Sequence, residues 1–106
     1  ALVLLQQAGL RLLERNFRCR LGEIDLVMRD GTTVVFVEVR QRRSSRFGSA
    51  AESVSAGKLR RVRAAAGLWL RRSRCNSHAR IDVVTLDGGL EDGPMIRWIR
   101  GADAQE

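Results

Sequence analysis

Two runs of alternating apolar and polar residues meet at Asp30-Gly31, and that junction constrains the chain more than any other feature. Side chains two apart share one face of a strand, and an Asp-Gly pair between two such runs is a strong short-range signal for a hairpin. The outgoing run is Glu23-Ile24-Asp25-Leu26-Val27-Met28, and residues 32–41 return, rich in Val and Phe. Upstream, Phe17, Cys19 and Leu21 alternate with Arg18 and Arg20 as far as Gly22, which predicts an extended segment from about Leu10. Residues 1–8 read as the end of an amphipathic helix with Leu2, Leu5 and Val3 inward, stopped by Gly9 as the left-handed residue past its C-terminus.

Beyond the hairpin the period changes. Residues 42–48 are polar, basic and end in glycine, as an exposed loop does. Ser49 and Glu52 fit a capping box and Ser55 offers a second N-cap, after which Leu59, Val62, Ala66 and Trp69 recur at helical spacing to about Arg72. A loop at 74–79 leads to a short apolar strand at 81–86, closed by Asp87-Gly88-Gly89, and residues 95–99 predict an edge strand beyond Pro94. Residues 101–106 read as a polar tail with nothing to bury. The order helix, three strands, helix, two strands predicts an α/β fold with a mixed central sheet of about five strands flanked by helices. The long helix would connect the third and fourth strands as a parallel crossover. A chain of 106 residues holds one such domain, with its ordered core expected over 1–99. It opens without a methionine inside an apolar periodic segment, so the first helix is expected to be truncated.

Composition narrows the function. The chain is 44% hydrophobic and 29% charged, which is globular usage, and 18 of its 19 basic residues are arginine within a net charge of +7. Guanidinium groups match phosphate oxygens two at a time, so this excess suits nucleic acid, although genomic base composition also produces arginine-rich chains. Cys19, Cys75 and His78 are too scattered for a zinc site or a disulfide framework. No apolar run approaches the roughly 20 residues of a membrane span, so a cytoplasmic protein with no membrane partner is expected.

The chemistry-bearing residues lie on the hairpin. Strict alternation would put Glu23, Asp25 and Val27 on one face of the outgoing strand and Phe36, Glu38 and Arg40 on one face of the return. With Asp30 and Gly31 as the loop, Asp25 opposes Phe36 and Glu23 opposes Glu38. Asp25 and Glu38 are then diagonal neighbours roughly 7 Å apart. Carboxylates placed together among valines repel and lose hydration, and a divalent cation compensates; Mg²⁺ takes one or two protein carboxylates and fills its shell with water and phosphate oxygens. The same spacing also suits carboxylates paired with arginines on a solvated hairpin face, and spacing alone leaves both readings open.

The run Asn16-Phe17-Arg18-Cys19-Arg20 into Gly22-Glu23-Ile24-Asp25-Leu26, then Phe36-Val37-Glu38-Val39-Arg40, Phe47-Gly48, Lys58 and Arg80-Ile81-Asp82-Val83-Val84, resembles the YraN family, also called UPF0102. The resemblance runs from Ala1 to about Ile99 and implies similarity to Holliday-junction resolvases and restriction-type nucleases, with their mixed-sheet core. It puts the motif Asp at Asp25, the motif Glu at Glu38 and the motif Lys at Arg40. Mg²⁺ or Mn²⁺ is implied as cofactor on Asp25 and Glu38, with Glu23 as a further candidate ligand. Junction-cutting relatives often work as two-fold pairs, so the resemblance leaves a homodimer open, although no residue here marks a dimer patch. Arg40 departs from the pattern: it stays protonated and cannot accept a proton, but can steady a developing phosphorane charge. A further acid on the first helix of related nucleases would fall just upstream of Ala1. Lys58, near the start of the long helix, reads as a surface lysine rather than a stand-in for the missing amine.

Arg60, Arg63, Arg71 and Arg74 return to nearly one direction of the long helix, which by itself reads as an ordinary solvated face; Arg42, Arg43 and Arg46 in the loop beside Glu38 are the stronger candidates, and with Lys58, Arg60 and Arg63 they make the expected nucleic-acid-binding set. Trp69 falls on the apolar stripe and reads as core; Asp82 reads as a partner of Arg80; His78 has no assigned role. Three functions compete: a Mg²⁺-dependent endonuclease hydrolysing DNA, structured or branched DNA included; a non-catalytic nucleic-acid-binding module retaining the nuclease fold; and a protein-interaction scaffold with incidental charge.

Overall fold

The computed structural model describes residues 1–42, 56–88 and 95–102, with the side chain of Arg42 excepted. In chain order the elements are α1 (Leu2–Gln7), β1 (Arg11–Cys19), β2 (Gly22–Asp30), β3 (Thr33–Arg42), α2 (Ala56–Arg72), β4 (Ala79–Asp87) and β5 (Met95–Ile99). The five strands form one sheet in the order β1-β2-β3-β4-β5. β3 and β4 are parallel across α2, and the other neighbours are antiparallel. This is the α/β arrangement that the change of period predicts.

Each helix ends or packs for a reason visible in its residues. At the end of α1, Gly9 takes φ 98°. Its N–H donates to Gln6 O and that of Leu10 to Leu5 O, which also accepts from Ala8, so the last carbonyls of the helix are satisfied, and Leu5 and Leu10 bury together. Helix α2 lays Leu59, Val62, Ala65, Ala66 and Trp69 on one face of the sheet against Ile24, Val27, Val34, Phe36, Ile81 and Val83. A fully buried side chain of Leu or Val size contributes about 1.5–3 kcal/mol, so this stripe holds the helix on the sheet. Trp69 is core, meeting Phe36 edge-on at 5.7 Å between ring centroids and donating its Nε1–H to Glu14 on β1 at 3.0 Å. On the other face α1 covers a second core of Leu26, Met28, Val35, Val37 and Val84. The capping box at Ser49 and Glu52 and the N-cap at Ser55 lie outside the described residues.

Asp82 is fully buried and acts as a clasp. Its carboxylate accepts from Arg80 Nε at 3.0 Å, Trp98 Nε1 at 2.9 Å and the Gly101 N–H at 2.9 Å. The expected pairing with Arg80 is present. The tail expected to bury nothing from 101 onward is corrected at its start, because Gly101 is held by this clasp and Ala102 packs against the α2-side core.

Candidate functional site

The seam between β2 and β3 opens before either strand ends. β2 extends back to Gly22 and β3 onward to Arg42, yet their pairing stops at Leu26 opposite Val37. One residue further, where Asp25 would face Glu38, the Asp25 side chain takes over: its Oδ2 accepts the Val39 N–H at 2.7 Å. A carboxylate thus replaces a ladder carbonyl. The register differs from the expected one because Asp30 pairs with Thr33, leaving Gly31 and Thr32 as the loop, with Gly31 at φ 60°. A positive φ at the first loop position is where a type II′ turn uses glycine. Continued one step past Leu26 and Val37, this register would bring Asp25 from diagonal to directly across from Glu38.

On β3 alternation holds. Val34 and Phe36 face α2, and Glu38 and Arg40 follow them, with Glu38 only 3% exposed. Glu38 Oε1 lies 3.6 Å from Lys58 Nζ on α2 and 3.7 Å from Arg40 Nη1. Its other oxygen, Oε2, is buried with no hydrogen-bond partner. On β2 alternation fails, which corrects the expectation that Glu23, Asp25 and Val27 share a face. Ile24 and Val27 both enter the α2-side core while Leu26 enters the opposite one, so the strand rotates at Asp25. Asp25 lines a cleft of about 520 Å³ with Leu2, Val3, Arg15, Asn16, Leu26 and Val39. The two carboxylates are therefore neighbours across an opened seam rather than side by side on one face.

They still act on each other. Burial pushes the Glu38 carboxyl above its ordinary pKa, the Asp25 charge pushes it further, and Lys58 and Arg40 oppose both. A buried carboxylate whose free oxygen has no donor, beside a second carboxylate, is an arrangement that a divalent cation would relieve. Among the described residues no group of three or more His, Cys, Asp or Glu side chains assembles to hold a metal, so Asp25 and Glu38 would supply the protein's share.

Glu23 does not join them. It is exposed at the β1 side of β2, 3.5 Å from Arg18, because the seam has opened before reaching it. Lys58 is corrected from surface lysine to partner of Glu38, with a side chain 25% exposed. Arg60, Arg63 and Arg71 are exposed on α2, and Arg74 is exposed in the turn that follows it. Arg43, Arg46, Phe47, Gly48 and the Arg42 side chain fall outside the described residues. Asn16, which sequence reasoning left without a role, lies beside Asp25 at φ 53° in the middle of β1.

The sheet, the covering helices and the split seam define an α/β protein with two coupled carboxylates where neighbouring strands part. The chain belongs to the UPF0102 family: the model described as "Uncharacterised protein family UPF0102" matches residues 1–86. It is 52% identical over 94 residues to a UPF0102 protein of Methylococcus capsulatus, covering 89% of this chain and 76% of that one. It is 49% identical over 102 residues to one from Nitrosomonas europaea, covering 96% and 85%. A UPF0102 protein of Alkalilimnicola ehrlichii is 53% identical over 96 residues, covering 89% and 72%.

Proposed function

We propose that this protein is a divalent-metal-dependent endonuclease that hydrolyses phosphodiester bonds in DNA, with Asp25 and Glu38 as the acidic pair. The observation that carries the reading is the buried, unpartnered Glu38 Oε2 held within the electrostatic reach of Asp25 where the β2–β3 ladder ends. A protein that merely buried a glutamate would be expected to satisfy both oxygens. Mg²⁺ or Mn²⁺ bound by Asp25 and Glu38 would polarise the phosphodiester and acidify the attacking water. The chain's own residues do the rest. The Val39 N–H fixes the Asp25 carboxylate in orientation, and Lys58 and Arg40 hold the Glu38 carboxylate from its other oxygen. Arg40 is 34% exposed on its side chain and offers a permanent positive charge to a phosphorane, without exchanging a proton. The exposed arginines of α2 and the net charge of +7 favour a polyanionic substrate, structured or branched DNA included.

Labelled duplex, flap and four-way DNA incubated with Mg²⁺ or with chelator test this directly. Metal-dependent cleavage that disappears in Asp25→Asn and Glu38→Gln is the expected result. Equal cleavage by wild type and both variants removes the assignment.

A second reading has one observation in its favour: Glu38 already faces two cations, which would compete with a metal. On that reading the domain binds nucleic acid without turnover. It predicts salt-sensitive DNA binding with no metal-dependent cleavage on any of the three substrates.

A further inference from the structure

The backbone beside Asp25 is distorted on both sides, and the two distortions have different causes. Toward β3 the ladder simply ends. Toward β1 the pairing resumes beyond the site: Arg15 opposes Leu26 and Phe17 opposes Ile24, while the intervening Asn16 and Asp25 are skipped. At that point Asn16 is at φ 53°, in the left-handed region, inside a nine-residue strand. Non-glycine residues seldom occupy it, and such strain concentrates where a side chain must be aimed. The register is the same on both sides of Asn16, so no residue is inserted there, and glycine would take this φ more cheaply. Asparagine enters this region more readily than other side chains, so what points to a ligand is where its exposed carboxamide stands. Asn16 is exposed and lines the cleft that Asp25 lines, with Arg15 next to it.

We propose that Asn16 binds a phosphate of the DNA backbone at this cleft, its carboxamide donating to a non-bridging oxygen beside Asp25, with Arg15 supplying the charge. The inference rests on the nucleic-acid reading above. Its chemistry follows from the neighbours. The Asp25 carboxylate repels a phosphate, and a neutral double donor offsets that repulsion without neutralising the carboxylate, as a second cation would do. The amide contributes orientation and Arg15 contributes attraction, so the two roles separate in their response to salt: losing a phosphate-bound cation reduces the salt slope by about one unit, whereas losing a neutral donor leaves it unchanged.

The test is fluorescence anisotropy of a labelled DNA duplex in chelator across a salt series, with wild type, Asn16→Gly, Asn16→Ala and Arg15→Gln. Chelator makes the result independent of cleavage. Asn16→Gly keeps the left-handed backbone available, so its unfolding midpoint should match or exceed that of wild type while its duplex affinity falls about ten-fold with an unchanged salt slope. Asn16→Ala, which must hold φ 53° without glycine's freedom, should lose thermal stability as well. Arg15→Gln should flatten the slope. Wild-type affinity in Asn16→Gly overturns this proposal alone. A wild type that binds no duplex at low salt overturns it together with the nucleic-acid reading, and one that binds here yet leaves duplex, flap and four-way DNA uncut in the Mg²⁺ assay above removes only the hydrolytic step.

Discussion

Replacing Asp25 by alanine tests whether this carboxylate is a structural tie as well as a charge. The variant loses the acceptor that the Val39 N–H uses at 2.7 Å in place of a ladder partner. Hydrogen bonds to charged groups contribute about 1.5–3 kcal/mol. The loss is partly offset, because removing Asp25 also removes the charge that drives the Glu38 carboxyl upward, leaving burial opposed by Lys58 and Arg40. A net destabilisation of about 1–2 kcal/mol follows. At about 4–8 °C per kcal/mol, this corresponds to a fall in Tm of roughly 4–16 °C. Asp25→Asn keeps an acceptor oxygen and also relieves the repulsion, so it should recover at least half of that loss. Urea and thermal unfolding in chelator, where no divalent ion contributes, measure both variants. An alanine variant as stable as wild type, or an asparagine variant less stable than the alanine one, refutes the reasoning.

Three further predictions concern the fold around the site. The raised Glu38 pKa means that the fold favours the neutral carboxyl; its contribution is fully present below the ordinary value of 4.5 and is lost as pH rises through the folded-state pKa. The stability of Glu38→Gln relative to wild type should therefore improve from acid to neutral pH in denaturation curves, and a difference that is flat or declines with pH contradicts this assignment. A Cβ at Gly22 would stand 2.9 Å from the Arg61 carbonyl oxygen, so Gly22→Ala should cost about 1–3 kcal/mol in urea unfolding, and a neutral effect would deny that β2 and α2 are in contact there. Asp82→Ala leaves Arg80, Trp98 Nε1 and the Gly101 N–H without their shared acceptor and should cost about 3–5 kcal/mol, with hydrogen exchange rising first in Met95–Ile99; unaltered protection of β5 would contradict the clasp.

The element order was legible because period and punctuation carry it. The alternating runs around Asp30-Gly31, the helical spacing of Leu59, Val62, Ala66 and Trp69, and Gly9 after α1 all fall where those patterns put them. The hairpin was legible, but its exact turn was not, since Asp-Gly and Gly-Thr are both workable two-residue loops and only the assembled sheet selects the second. The site was half legible. Glu38 and Arg40 share a face because β3 stays regular, whereas Asp25 could not be placed by alternation: Asn16 bends β1 beside it and the β2–β3 ladder ends at its side. Lys58 was misread because its contact with Glu38 spans twenty positions and depends on how α2 docks, which no local pattern encodes.

The proposed hydrolysis requires Asp25 and Glu38 to hold one divalent ion between them. Electron paramagnetic resonance of a Mn²⁺ titration measures this without requiring turnover. One ion per chain in the wild type, lost in both Asp25→Asn and Glu38→Gln while both variants remain folded, is the predicted result. Unchanged Mn²⁺ uptake by the two folded variants, or none by the wild type, would contradict it.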